Sequence, residues 1–390
     1  MHFYTILLST LFIFASGQNV DRLCGQDLEN LWEEIIIVVD NSLGMTNDGL
    51  VQVASNIGAV FSNGTRIGTG YADPRSTRVG LVTYSKTATV AAYLDQWNSY
   101  DDLVNGVFDA LWQVDNYEES YLANGLNLAL DMLNNKSQPI IRPNFKKLIV
   151  VYASAFMGVG DLDPVPSSKR VKESGIEIAT VAFVQMGGDS LTDELCKVAT
   201  PGFCFTSSEK DGGNLTGEIQ GAMLQVNCFC PNLWTQYRVN YKDVFSYRYG
   251  VCNRGSEITS TWSVSKIACQ HMIKNGYLST EYTQHKHDYV FQVAQNISSY
   301  HQPYGYHIGL NYVNGGWYWQ QPVGHLQLPL SNDTTFWNPG YPNSITANTG
   351  VMNMQSSSQL SVGWQNIKSS TVSAMYMCEV ASCDTDNYCL

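Results

Sequence analysis

Positive charge is scarce in this 390-residue sequence: 22 Lys and Arg stand against 34 Asp and Glu, for a formal net charge of −12 at pH 7. Nucleic acid phosphates require a basic protein face, so this balance argues against DNA or RNA as a partner. The sequence also lacks low-complexity tracts and long blocks of like charge, as expected of a globular chain. Its length allows two or three domains.

Catalytic and zinc-binding motifs are missing as well. The sequence contains no nucleophile elbow, phosphate loop or paired-carboxylate motif, and its cysteines form no zinc-type pairs. The segment "QHKHD" holds His285, His287 and Asp288, which could belong to a metal or general-base cluster. Because a third histidine or a nucleophile at matching spacing is lacking, we interpret the segment as the solvated start of a helix. We therefore predict that the protein is not an enzyme.

The amino terminus predicts secretion. "MHFYTILLSTLFIFASGQ" has an apolar run followed by small residues, which is typical of a signal peptide over 1–17, cleaved before Gln18. No later stretch reaches 18 apolar residues, so we expect no transmembrane segment in the mature chain. The predicted localisation is extracellular.

Cysteines and glycosylation sequons favour the same compartment. The ten cysteines are an even number, and in an oxidising environment we expect them to pair into disulfides. Five Asn-x-Ser/Thr sequons predict a glycoprotein modified at Asn63, Asn135, Asn214, Asn296 and Asn332.

Strands and helices alternate from about residue 33 to residue 225. "EIIIVVD" and "KKLIVVYAS" are continuous apolar runs, as in parallel strands buried on both faces, and "YEESYLANGLNLALDML" has the pattern of an amphipathic helix. This alternation predicts a doubly wound α/β domain, whose ligands bind beyond the carboxyl ends of the strands. Asp40 and Ser154 fall at such ends. After "QVNCFCPNLW" short strands rich in Trp, Tyr and Gly take over, so we place a domain boundary between Val226 and Cys230.

On these residues the segment 24–226 resembles the von Willebrand factor A domain, a Rossmann-like fold. In that family an Asp-x-Ser-x-Ser motif after the first strand, a Thr at a helix start and an Asp after a later strand hold a divalent cation. "DNSLG" supplies Asp40 and Ser42 but has Gly44 in place of the second Ser. The Thr position falls on Ser120, and the Asp position falls on Ser154.

The resemblance therefore implies a degenerate cation site with one carboxylate. Asp40, Ser42 and Ser120 would hold Mg²⁺ weakly, because hard oxygens and negative charge are what Mg²⁺ requires. The alternative, which we favour, is that Asp40 and Ser42 only hydrogen-bond the turn and cap the next helix. We expect no cofactor beyond a weakly bound Mg²⁺ or Ca²⁺.

The segment 230–390 resembles an α+β C-type lectin-like domain. The landmarks "CPNLW", "TWSVSKIAC", "HIGL", "WYW", "FWNPGYPN" and "MYMCE" occur in the family's order. The family comparison also suggests a disulfide assignment. Cys269–Cys378 is the long-range bridge and Cys230–Cys252 the amino-terminal hairpin bridge, while Cys24–Cys228 would join the ends of the first domain. Cys196–Cys204 and Cys383–Cys389 would close short loops.

Sugar-binding members of this family hold Ca²⁺ through acidic and amide residues. Here the corresponding positions carry Tyr341, Asn343, Gln365 and Asn366, none of them a carboxylate. Because Ca²⁺ takes six to eight oxygens, several from carboxylates, calcium-dependent sugar binding by the family's mechanism is not expected. These four residues are the candidates for ligand contact. The nearby Trp317, Trp319 and Trp364 are interpreted as core residues.

The leading hypothesis is a secreted, non-enzymatic recognition or adhesion protein that binds a glycan, a microbial surface or a protein without calcium. It resembles nematode-type proteins that join a von Willebrand A domain to a C-type lectin-like domain, a family linked to innate defence. One alternative is a calcium-dependent carbohydrate-binding lectin with non-standard ligands. Another is a matrix component that self-associates through the first domain.

Overall fold

The computed structural model describes residues 20–135, 140–184, 189–208, 214–331, 333–344, 348–356 and 360–389. The predicted signal peptide, 1–17, lies outside the described residues. The chain divides into two compact units. The first unit contains Arg22–Arg254 with residues 379–389, and the second contains Gly255–Cys378 with the described residues before Arg22. The predicted domain limits, 24–226 and 230–390, stay predictions.

In its described residues, the first unit contains a six-stranded sheet and six α-helices. The strands are β1 (Glu33–Asp40), β2 (Arg78–Tyr84), β3 (Ala88–Ala92), β4 (Lys146–Ala153), β5 (Glu177–Ala182) and β6 (Cys204–Thr206). The helices are α1 (Asn47–Phe61), α2 (Tyr100–Ala110), α3 (Leu122–Asn134), α4 (Pro164–Glu173), α5 (Asp189–Cys196) and α6 (Leu215–Val226). The sheet order is β3-β2-β1-β4-β5-β6, and only the β2–β3 pairing is antiparallel. The predicted doubly wound α/β fold of the first half is confirmed.

Strand β1 lies at the centre of this sheet and is buried along its whole length. Ile35, Ile37 and Val39 pack into one hydrophobic cluster, which also contains buried residues of α1, α2 and α6. Ile36 and Val38 pack into a second cluster with residues of α3. Successive side chains of a strand point to opposite faces, so a continuous apolar run is the pattern of a strand that is covered on both faces.

The first unit brings its two chain ends together around Trp32. The indole of Trp32 is fully buried, donates to the backbone oxygen of Asp384 at 3.0 Å and contacts the rings of Phe145, Phe229 and Tyr388. A hairpin of β7 (Thr235–Arg238) and β8 (Arg248–Gly255) also belongs to this unit, apart from the last residue of β8.

The part of the second unit that the structure describes is rich in short strands and has two α-helices. Its elements are β9 (Ser260–Thr261), α7 (Trp262–Met272), β10 (Tyr277–Leu278), α8 (Gln284–Gln295), β11 (Gly305–Val313), β12 (Gly316–Trp319), β13 (Leu328–Pro329), β14 (Thr349–Gln355), β15 (Val362–Lys368) and most of β16 (Ser373–Ala381). Strand β11 pairs antiparallel with β12 and β14 and parallel with β16. Strand β14 continues antiparallel into β15.

Five disulfides use all ten cysteines, and no free cysteine remains. The structure forms the five pairs that the resemblances imply: Cys24–Cys228, Cys196–Cys204, Cys230–Cys252, Cys269–Cys378 and Cys383–Cys389. Cys269–Cys378 closes the 109-residue separation within the second unit and joins α7 to β16.

Four of the five sequon asparagines lie in the described chain, and all four are exposed. They are Asn63, Asn135, Asn214 and Asn296, and the fifth, Asn332, lies outside the described residues. Asn63 follows the end of α1, while Asn214 is the N-cap of α6, where its side chain accepts from the backbone of Gly217.

Candidate functional site

The candidate cation site of the first unit lies at the carboxyl end of β1. Asp40 is the last residue of that strand and is fully buried. Its Oδ1 accepts from the backbone N–H of Ser42 at 2.9 Å. Its Oδ2 accepts three hydrogen bonds: from the Ser120 hydroxyl at 2.9 Å, and from the backbone N–H and the hydroxyl of Ser154 at 3.1 and 2.6 Å. The structure thus brings Asp40, Ser42 and Ser120 together, and adds Ser154.

Helix α3 positions Ser120 by packing closely over the sheet. A Cβ at Gly125 would lie 2.7 Å from Cγ1 of Val38 and 3.1 Å from the Tyr84 ring, so only glycine permits this approach. The amphipathic pattern predicts that the helix begins near residue 117, but it begins at Leu122. The preceding segment instead makes backbone hydrogen bonds with neighbouring loops, from Leu43 to Tyr117 and from Tyr121 to Ser85.

Helix α1, which follows the loop after β1, is not capped by the residues that the sequence predicts. The N-cap of α1 is Thr46, whose hydroxyl accepts from the backbone of Gly49 at 3.2 Å. Asp40 bonds the turn, but neither Asp40 nor Ser42 caps α1. Ser42 is buried, and its hydroxyl has no hydrogen-bond partner among the described residues.

Gly44 stands where the related motif has its second Ser. A Cβ at Gly44 would lie 3.2 Å from the Ser154 hydroxyl and 3.6 Å from that of Ser42. Side chains from the loops that follow β1 and β4 therefore already occupy the space beside Gly44. Tyr84, on the neighbouring strand β2, is fully buried. Burial, and then the charge of Asp40, raise the pKa of its hydroxyl well above the ordinary value.

This donor set fits a divalent cation poorly. Mg²⁺ requires near-octahedral oxygen ligands and gains from negative charge, but the set offers one carboxylate and small hydroxyls. Oδ2 of Asp40 already accepts three hydrogen bonds. One of them comes from the hydroxyl of Ser154, which stands where the family has its second acidic residue. Only the Ser42 hydroxyl remains unused. Elsewhere in the described chain, no group of three or more His, Cys, Asp or Glu is placed to hold a metal.

Exposed apolar side chains lie on loops that contribute residues to the Asp40 site or contact it. They belong to the three loops that meet there: the loop after β1, the loop before α3 and the loop after β4. Trp112 is 80% exposed and Val159 is 86% exposed. We call these residues the apolar rim: Leu43, Trp112, Tyr117, Met157 and Val159.

In the second unit the four ligand candidates fall on two segments. Asn343 and Asn366 meet: the Asn366 side chain accepts from the backbone N–H of Asn343 at 2.8 Å and donates to its backbone oxygen. Asn366 is buried and its amide is engaged in holding this loop, whereas the Asn343 side chain is exposed. Tyr341 and Gln365 are half-buried. Trp319 and Trp364 are fully buried, while Trp317 is half-buried.

The prediction for His287 is wrong. It lies in the first turn of α8, but it is 3% exposed, whereas His285 and Asp288 are exposed as expected. Its Nδ1 is 2.7 Å from the fully buried Glu281 carboxylate, and its Nε2 is 3.1 Å from the backbone oxygen of Val362. Burial by itself lowers the pKa of His287, but the Glu281 carboxylate outweighs burial and raises the pKa above the usual value.

Glu281 is a fully buried carboxylate with several polar partners, and it was not identified from the sequence. Besides His287, its carboxylate accepts from the indole of Trp364 at 2.8 Å and from the amide of Asn353 at 2.7 Å. The ring of Phe336 stacks on His287 with centroids 4.5 Å apart. Both carboxylate oxygens of Glu281 and both ring nitrogens of His287 have partners among core residues, which is the arrangement of a structural ion pair. Its sequence signal was a single acid in the neutral stretch "YLSTEYTQ".

Comparison with known proteins agrees with the geometry of the first unit. The family model described as "von Willebrand factor type A domain" matches residues 34–222. Residues 34–222 are a von Willebrand factor type A domain. We use "A domain" for this segment below. The resemblance on which the Asp40 site was identified is thereby confirmed.

The chain as a whole is similar to a curated protein of Caenorhabditis elegans, C-type lectin domain-containing protein 160. The two are 28% identical over 375 residues. The match covers 94% of this chain but 56% of the relative, so the chain spans little more than half the length of that protein. The name of this relative includes the C-type lectin domain, which is the family that residues 230–390 resemble.

Solved structures similar to the chain cover about half of it. Proximal thread matrix protein 1 from the mussel byssus is 16% identical with a TM-score of 0.42, covering 51% of this chain and 49% of its own. BatB from Bacteroides thetaiotaomicron is 16% identical with a TM-score of 0.35, covering 49% of this chain and 98% of its own. At these scores neither likeness bears on function.

Proposed function

We propose that this chain is a secreted, non-enzymatic recognition or adhesion protein that binds an extracellular glycan, microbial surface or protein through its own surface, without a divalent cation. The observation that carries the proposal is the closure of Asp40 in the A domain. Its carboxylate oxygens accept four hydrogen bonds from Ser42, Ser120 and Ser154. Because the oxygens of Asp40 are engaged by these donors, the A domain would not present a cation to a carboxylate of the ligand.

Secretion is supported by the covalent structure. Five disulfides with no free cysteine are typical of proteins that fold in an oxidising compartment. Four exposed sequon asparagines are compatible with glycosylation there. Within the described parts of the chain, no helix is long and apolar enough to cross a membrane.

A non-enzymatic role is supported by the two families and by the polar clusters. A domains and lectin-like domains are typically binding modules, and the relative's name points to a lectin domain. The His287–Glu281 pair is buried, and its carboxylate oxygens and ring nitrogens are all engaged by core groups. A role in innate defence is carried by the family resemblance and is part of this proposal.

The apolar rim is the proposed contact surface of the A domain. Large exposed apolar side chains grouped on one face are typical of interaction sites, and aromatic residues contribute strongly to binding energy. The loops that carry the rim are at the carboxyl edge of the sheet, where ligands of doubly wound folds bind. Because the cation site is closed, binding here relies on apolar contact.

The test is a binding screen on the purified full chain, run in EDTA and again with Mg²⁺ and Ca²⁺. The probes are a glycan array, fixed bacterial cells and immobilised extracellular-matrix proteins. We expect at least one probe to bind equally in both conditions, and the double variant Trp112→Ser/Val159→Ser to weaken that binding at least tenfold. Ile141→Ser is the matched control, because Ile141 is exposed but precedes β4 at the opposite edge of the sheet.

Two results would overturn the proposal. Failure of every probe to bind would remove the recognition role, and binding that EDTA abolishes would remove the cation-independent mechanism. If Ile141→Ser weakened binding as much as the rim variant, the apolar rim would not be the contact surface.

A further inference from the structure

The second unit contains a cleft of about 420 Å³ that lies apart from the predicted ligand residues. It is bounded by the start of α7, the tip of the β11–β12 hairpin, the start of β14 and the residue after β15. Its volume is within the range of small-molecule sites, about 300–1,000 Å³. Neither Tyr341 and Asn343 nor Gln365 and Asn366 line it.

The lining of this cleft carries no charge, although the chain as a whole has a net charge of −12. Its polar groups are three side-chain amides, from Asn311, Asn314 and Asn348, and the hydroxyls of Ser263, Thr349 and Ser369. Trp262 and Tyr312 supply aromatic surface. A charged ligand would find no partner here and would lose its hydration, which is costly.

The floor of the cleft is held rigidly. Trp262 is 6% exposed, and its indole N–H donates to the backbone oxygen of Ile308 at 2.8 Å. The indole packs directly on Gly350, where a Cβ would lie 2.4 Å from Cγ of Trp262. A side chain at residue 350 would therefore displace the tryptophan.

The walls are tied to each other by backbone hydrogen bonds. The backbone N–H of Ser369 donates to Asn348 at 3.0 Å, and Ser263 donates to the Ser369 oxygen through both its N–H, at 2.9 Å, and its hydroxyl, at 3.1 Å. On the far wall, Asn314 and Gly315 form the tight hairpin turn, both with positive φ. A site that is already formed loses little conformational entropy when it binds.

The side chains of the lining match vicinal hydroxyl groups. An amide both donates and accepts hydrogen bonds, and a sugar hydroxyl does the same. The amides of Asn314 and Asn348 have no hydrogen-bond partner among the described residues and are exposed. The half-buried ring of Tyr312, fixed against Trp317 with centroids 5.2 Å apart, offers an apolar face to a sugar ring.

We propose that this cleft binds a neutral saccharide, without calcium, through Tyr312 and the amides of Asn311, Asn314 and Asn348. The inference rests on the proposed recognition function and names one ligand class and one site for it. The site is separate from the loop of Asn343 and from the apolar rim of the A domain.

Saturation-transfer NMR on the full chain in EDTA tests this. The probes are N-acetylglucosamine, mannose and galactose, with glucuronate as a charged comparison. We expect at least one neutral sugar to bind and glucuronate to bind at least tenfold more weakly. Tyr312→Ala and Asn348→Asp should each weaken the neutral sugar at least tenfold. Asp keeps the shape of Asn348 and tolerates its φ of 64°, but it replaces the amide donor by a charge.

Asn343→Ala is the control, because only the backbone of Asn343 bonds Asn366 and its side chain is exposed. Binding that survives both cleft variants, or that is lost in Asn343→Ala, would overturn the cleft assignment. So would preference for glucuronate, or no binding of any sugar. The screen of the preceding subsection separates the two proposals. Probes that bind wild type and both cleft variants equally would leave the recognition function standing without this site.

Discussion

Ser154 donates two hydrogen bonds to the same oxygen of Asp40, one from its backbone N–H at 3.1 Å and one from its hydroxyl at 2.6 Å. Ser154 occupies the position at which the A domain family has its second acidic residue. The family's acidic side chain would share a cation with Asp40. The serine that replaces it donates hydrogen bonds to the Asp40 carboxylate instead. The two donors of Ser154 help to satisfy a carboxylate that is fully buried.

Replacing Ser154 by alanine should therefore destabilise the A domain. Hydrogen bonds to a charged group contribute about 1.5–3 kcal/mol, and Asp40 is fully buried, so we expect a loss of that size in the free energy of unfolding. Chemical denaturation monitored by circular dichroism measures it. Ser55→Ala is the control, since that exposed hydroxyl bonds only the backbone oxygen of Val51 in α1. Equal losses in the two variants would contradict the prediction.

Ser154→Asp should convert the site into one that depends on a cation. Two carboxylates close together repel each other, so we expect a lower melting temperature than wild type in EDTA. Excess Mg²⁺ should raise the melting temperature. An ion that binds only the folded state adds about 2.7 kcal/mol to the free energy of unfolding at a hundredfold excess over Kd. Thermal melts with EDTA and with Mg²⁺ measure both effects.

The neutral variant Ser154→Asn is the control for this substitution, because it has the same size and no second charge. It should show no response to Mg²⁺. If Mg²⁺ left the Ser154→Asp variant unchanged, the missing carboxylate would not be what limits cation binding in this A domain.

The pair of His287 and Glu281 should make stability depend on pH near neutrality. The pKa of His287 is raised in the folded state, so its stabilising contribution is complete below the unfolded pKa of about 6.5. It is lost as the pH rises through the folded pKa. We expect Glu281→Gln to remove this decline. At pH 6 it should also lower the free energy of unfolding by about 3–5 kcal/mol, because it leaves the buried His287 without an opposite charge.

Urea unfolding at a series of pH values from 5.5 to 8.5 measures this decline. His285→Gln is the matched control, because His285 lies in the same helical turn but is exposed. An unchanged pH profile in Glu281→Gln would refute a charged pair.

His307 should act in the opposite direction. It is fully buried, and burial lowers its pKa to about 4. The unfolded chain then binds a proton before the folded chain does, so stability falls as the pH drops from about 6.5 to about 4. The expected loss is up to about 3 kcal/mol, from about 1.4 kcal/mol for each unit of pKa difference.

His307→Phe should flatten this acid decline, because it removes the titrating group. Unfolding free energies at pH 6.5, 5.5 and 4.5 give the comparison. His301→Gln, at an exposed position just before β11, should leave the decline unchanged. A decline of equal steepness in wild type and His307→Phe would assign it to carboxylates instead.

The fold of the first half could be predicted because its signals are local. The apolar run of β1 predicts a strand buried on both faces, and the alternation with helices predicts the doubly wound sheet. That the end of β1 carries Asp40 follows directly from the order of residues. The position of Ser154 at the end of β4 follows in the same way, because neighbouring parallel strands end at one edge.

The hydrogen bonds of the site could not be predicted from the same patterns. The sequence identifies Ser154 as an exchange for a ligand, but it does not indicate that the hydroxyl turns back to Asp40, 114 residues earlier. Nor does it show that Thr46 rather than Ser42 caps α1. Such contacts depend on distances of a few tenths of an ångström between loops, which periodicity does not encode.

His287 shows the limit most clearly. The stretch "TQHKHD" is polar and reads as a solvated helix start, yet the chain turns at Thr283 so that His287 meets Glu281 beneath Trp364, which is 83 residues from Glu281 in sequence. A polar residue can be buried when distant residues supply its partners, and those partners are not visible in the local pattern.

The sequence by itself determined the order of strands and helices in the first half, the even set of cysteines and the residues that stand at each motif position. Those properties are local or are simple counts, so hydrophobic periodicity and residue identity suffice. Only the tertiary structure decided which of those residues meet: the serines that close Asp40, the partners that bury His287 and the uncharged cleft beside Trp262. Each of these depends on contacts between segments far apart in the chain, and close packing of the whole unit fixes them.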